Sequence, residues 1–150
     1  MSAFFAFLHH LAAFSLVAAL TGELVLVRGA PTVENARRIL RFDAAYGMSA
    51  GVLLVAGLLR VFYFEKGAAY YLHSAPFLGK LALFLAIGLL SIYPTLEFLS
   101  WRAALRLGQV PVVDPAKLRL IGKIIHWELV LMLLMLPLAV LMARGVGNFG

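Results

Sequence analysis

The sequence predicts an all-α integral membrane protein, a four-helix bundle with antiparallel up-down-up-down connectivity. Three observations predict it. Hydrophobic residues make up 63% of the 150 residues, and only 13% are Asp, Glu, Lys or Arg, against roughly 25% charged residues in soluble domains. The apolar residues gather into four runs of about 20 residues, the length that crosses a hydrocarbon core. None of these runs alternates with a two-residue period, so helices satisfy the backbone in lipid and a β-barrel is excluded.

The first run extends from about residue 4 to 27. It resembles a secretory signal in position only, because no Lys or Arg precedes it and it exceeds an h-region in length; it is expected to be a retained helix. A charged stretch, Arg28 to Arg38, separates it from the second run at about 39–64, with Asn35 expected to cap a helix running through the arginines into that run. The second run carries Gly47-Met48-Ser49-Ala50-Gly51, a small-xxx-small pattern that predicts close approach of a neighbouring helix, or of a flat ligand. The aromatic loop from Glu65 to Pro76, including Lys66 and Gly67, suits the membrane interface. A third run follows at about 75–99, then a turn region with Gly108, Pro111, Asp114 and Pro115, and a fourth run at about 120–142. One transmembrane domain therefore fills residues 1–150.

Lys and Arg set orientation. Arg28, Arg37, Arg38, Arg41, Arg102, Arg106, Lys117, Arg119 and Lys123 flank the first and third connections, and they outnumber Arg60, Lys66, Lys80 and Arg144 on the other side. Both termini are expected outside a bacterial inner (cytoplasmic) membrane. The net charge of +6 sits at helix ends and forms no groove-sized face, so topology and the lipid bilayer account for it, and nucleic acid is not an expected partner. The absence of cysteine excludes thiolate metal sites and cysteine-ligated clusters.

Ionisable side chains inside the runs are costly at the bilayer centre and mark sites. On the outer side, His9 and His10 diverge by about 100°, so only one can face the bundle. His9 lies within about 40° of the Glu23 face and is the favoured one. A helix-one histidine, His9 or His10, with Lys80 or His73 nearby, is a candidate ligand set for haem iron, because neutral imidazole offers the lone pair that iron takes; interfacial anchoring is the alternative. On the inner side, Glu23, Arg41, Asp43, Glu97, Lys123, His126 and Glu128 are expected to form ion pairs across the helices, or else a proton pathway or anion site. Pro94 is expected to distort the third helix before Glu97.

The stretches His9-His10-Leu11-Ala12-Ala13, Asp43-Ala44-Ala45-Tyr46-Gly47, Ser91-Ile92-Tyr93-Pro94-Thr95, Trp101-Arg102 and His126-Trp127-Glu128 resemble the bacterial membrane family called domain of unknown function 2214, over nearly the whole chain. A more distant resemblance is to membrane protoporphyrinogen oxidases of HemJ type, which bind b-type haem. His9 or His10, Arg37 to Arg41, Lys80 and Glu128 occupy comparable places. The chain departs from that pattern at Glu23-Leu24-Val25-Leu26, where those proteins have Leu-Pro-Arg, and at Tyr93-Pro94, where they have a histidine. The likeness implies haem b and, if an enzyme, a haem-dependent membrane oxidoreductase. Three functions remain open: a haem b redox protein, a small proton-coupled transporter, and a non-catalytic accessory subunit acting in a homo-oligomer or with a membrane partner.

Overall fold

The computed structural model describes residues 2–64 and 68–149; the sequence readings on Glu65, Lys66 and Gly67 fall outside them. Helix α1 spans Ser2–Val27, α2 Val33–Leu59, α3 Ala68–Leu72, α4 Ala75–Ser100, α5 Arg102–Arg106 and α6 Pro115–Ala143, and a π-helical turn, Arg60–Phe64, continues α2. Four of these helical segments are long and apolar enough to cross a membrane.

Each boundary has a local cause. α2 begins well before its apolar run, because Thr32 caps it by accepting a hydrogen bond from the Asn35 amide at 3.1 Å. Asn35, the expected cap, sits one turn inside and donates to the Ala30 carbonyl instead. α6 opens with Asp114 accepting from the Ala116 amide and with Pro115 at its first position, where the missing proline N–H costs nothing. α4 continues through Pro94 to Ser100. Past α6 the chain folds back. The Ala75 amide donates to the Gly147 carbonyl and the Phe149 amide to the His73 carbonyl, both at 3.0 Å, so the C-terminal tail clasps the start of α4.

The packing is uneven. α1 lies mainly on α2 and α4 mainly on α6, while α2 and α4 meet sparsely. Gly22 faces Phe42, and Gly57 faces His9; Gly79 faces Leu138, and Glu97 meets Lys117. Along each pair of helices these contacts run in opposing sequence direction, as the up-down-up-down order requires. Leu20, Phe98, Ile121 and Ile125 form the centre of the core, each almost wholly buried. Phe14, Leu85, Leu89, Leu96, Leu133 and Leu136 are exposed along the long helices. In water such a surface would be a liability; against lipid it is the expected face, and helix association then rests on close packing and interhelical polar contacts.

Candidate functional site

Three helices deliver three carboxyl groups to the bundle core. Glu23 of α1 is 2% exposed, Asp43 of α2 is 8% exposed and Glu128 of α6 is fully buried. Glu23 lies within electrostatic range of both Asp43 and Glu128, and Glu128 within range of Asp43. One oxygen of Glu23 and both of Glu128 are buried without a hydrogen-bond partner among the described residues. Asp43 is better held. Its Oδ1 accepts from the Thr95 hydroxyl of α4 at 2.6 Å, and Arg102 acts on it from further away.

The expected web of ion pairs across the inner ends is not what the helices assemble. Glu97 pairs outside this trio, with Lys117 Nζ at 3.2 Å and with the indole of Trp101 at 3.4 Å. Lys123 and His126 are exposed on α6, away from the face that buries Glu128, and Arg41 is exposed on α2, facing away from Asp43. Helical rotation explains the separation. Lys123 and Glu128 differ by five residues, or about 140°, and Arg41 and Asp43 by about 160°.

Beside the trio lies a groove of about 500 Å³ between α2 and α4, closed behind by Leu16 of α1 and by Met132 and Met135 of α6. Its lining is apolar along most of its length and polar at one end, where Asp43, Tyr46, Ser91 and Thr95 come together. Gly47 and Gly51 of α2 and Gly88 of α4 line it, and a Cβ on any of the three would meet nothing within 4 Å. The small-residue pattern therefore does not seat a helix within the chain; it widens a cleft. Met48 and Leu54 at its rim are 68% and 40% exposed, so the cleft opens sideways at mid-span. Tyr46, Ser91 and Thr95 line the groove, and counting charges misses them. Tyr46 was within reach, since it stands three residues after Asp43 and so shares its helix face.

At the other end of the bundle, His9 is the inward histidine. Its ring packs against Gly57, with Nδ1 3.5 Å from the position a Cβ there would take, and Nδ1 is buried without a partner among the described residues. Lys80 and Arg60 both act on it electrostatically. His10 is exposed, its Nδ1 2.6 Å from the Ala6 carbonyl oxygen. His73 is taken up elsewhere, by the Ala69 carbonyl and the ring of Phe149. An orphaned imidazole nitrogen suits a metal, but contact with Gly57 leaves no gap for a porphyrin edge at that atom unless α1 and α2 part. No group of three His, Cys, Asp or Glu among the described residues is arranged to hold a metal ion.

A model of the family described as predicted membrane protein (DUF2214) matches residues 1–147. No curated protein and no solved structure matches the chain.

Proposed function

The chain belongs to the DUF2214 family of predicted membrane proteins, and from that membership and the site geometry we propose that it is a small proton-coupled carrier. The observation that carries this reading is the buried trio of Glu23, Asp43 and Glu128, whose oxygens lack a basic partner within ion-pair distance among the described residues. A carboxylate in such surroundings needs a proton or a cationic ligand to offset its desolvation. Asp43 is common to the trio and the groove, so a proton on the trio and a ligand in the groove compete for one group. The groove suits an amphipathic molecule with an apolar body and a cationic end. Its apolar body would lie along Leu53, Phe84 and Ile87, and its cationic end would reach Asp43 and Tyr46. Binding is favoured as pH rises, because the ligand displaces a proton. The nine cations on the first and third connections support an inner-membrane orientation with both termini outside.

The test is uptake of the lipophilic cation tetraphenylphosphonium by proteoliposomes carrying a pH gradient. Accumulation that collapses with the gradient, and is lost in Asp43→Asn and Glu23→Gln, is expected. Equal uptake by the wild type, both variants and empty vesicles sinks the carrier.

A second reading keeps haem b; its support is the unpartnered His9 nitrogen near Lys80, and it requires α1 and α2 to part at Gly57. Oxidised and reduced absorption spectra of protein from haem-supplied cells decide it. A Soret band lost in His9→Ala but kept in His10→Ala would favour haem; a colourless, folded protein removes it.

A further inference from the structure

Away from the groove, at the end of the bundle opposite His9, Arg37 and Arg41 of α2 and Arg102 and Arg106 of α5 line one shallow depression of about 390 Å³ whose remaining walls are Leu40 and Leu105. We propose that this depression binds the phosphate of an anionic lipid headgroup in the adjacent leaflet.

Orientation of the chain by positive charge does not account for this arrangement. A topology signal requires cations on one side, but it does not require them to converge. Two of the five other cations on that side are neutralised, Arg38 by Glu34 at 2.9 Å and Lys117 by Glu97, and the remaining three do not share this hollow. Arg41, Arg102 and Arg106 have no ion pair among the described residues. The nearest acidic groups act on the cluster only from a distance, Glu34 towards Arg37 and Arg41 and Asp43 towards Arg102. Like charges gathered in one hollow repel, so an anion between them is favoured.

The shape and position select a phosphate in a lipid. Guanidinium groups present paired N–H donors that match phosphate oxygens, and several in one hollow can share one phosphodiester. Arg37 is already oriented, because its Nη2 donates to the Leu105 carbonyl at 3.2 Å and ties α2 to α5. Arg37 and Arg41 stand where the apolar run of α2 begins, the depth of headgroups. Leu40 and Leu105 give the hollow an apolar floor, which suits the glycerol and upper acyl carbons of a lipid and offers nothing to a free ion.

The experiment measures binding of phosphatidylglycerol, phosphatidylcholine and inorganic phosphate to the detergent-purified full chain by native mass spectrometry and thermal shift. The wild type is expected to prefer phosphatidylglycerol over phosphatidylcholine, and the Arg102→Gln/Arg106→Gln pair to lose about thirtyfold in affinity, roughly fivefold for each cation near a membrane surface. An Arg119→Gln control, equal in side but outside the hollow, should stay within about twofold of wild type. The Arg102→Lys/Arg106→Lys pair keeps charge, orientation and folding, and is expected to lose several-fold for want of the paired donors. Equal loss in the Arg119 control, full affinity in the lysine pair, no preference between the two lipids, or inorganic phosphate competing at equal concentration would each overturn the proposal, the last by assigning the hollow to a soluble anion.

Discussion

The most exposing test of the core is Glu128, a wholly buried carboxyl with both oxygens unpartnered among the described residues. Replacing it by Gln keeps the volume and removes the repulsion with Asp43. We expect Glu128→Gln to leave stability within about 1 kcal/mol of wild type or to raise it, since an uncharged isostere is often better tolerated than a buried charge. Glu128→Ala leaves a cavity and should cost about 2–4 kcal/mol. Reversible unfolding in mixed micelles separates the two; a Gln variant as damaged as the Ala variant would mean that the carboxylate has an ionic partner. Glu23, Asp43 and Glu128 were legible as costly carboxyls because a carboxyl inside an apolar run is conspicuous, and the structure buries all three. Their grouping with Lys123, His126 and Arg41 was not correct, because depth along the helix was weighed and rotation about it was not. Hydroxyls leave no such mark: Thr95 and Ser91 carry no charge, and only the approach of α4 to α2 gives them a role.

At the scale of elements, the spans were legible from apolar length, while their ends were not. The expected Asn35 cap already carries α2 back through Arg37 and Arg38, and the Thr32 cap sets its start three residues earlier, at Val33. The short helices α3 and α5 escaped notice because a window sized for a membrane averages over five residues. The C-terminal clasp was equally silent, since backbone hydrogen bonds are indifferent to side-chain type. It hinges on Gly147, which has φ +78° and would place a Cβ 3.0 Å from Pro76 Cδ. Gly147→Ala is expected to destabilise the start of α4 by about 1–2 kcal/mol, seen as faster amide exchange at Ala75 and Phe149. Gly88→Ala, with open space around it, should leave stability unchanged or gain up to about 1 kcal/mol through helix propensity. Equal penalties at both glycines would contradict the packing described above.

For the molecule as a whole, the lack of cysteine makes orientation directly measurable. Single cysteines at Ala30 and Val112 should react with an impermeant maleimide only in inverted vesicles, and those at Leu72 and Phe149 only in intact cells; the reverse pattern would turn the molecule over. Gly51→Leu and Gly88→Leu fill the groove from opposite walls, so each should abolish tetraphenylphosphonium binding while the fold persists. Because the groove opens sideways at mid-span, a ligand of the kind proposed above would reach it through the bilayer. The concentration that governs occupancy is then moles of ligand per mole of lipid. Doubling the lipid at fixed ligand and protein should dilute a strongly partitioned ligand about twofold within its own solvent and weaken the apparent affinity to match.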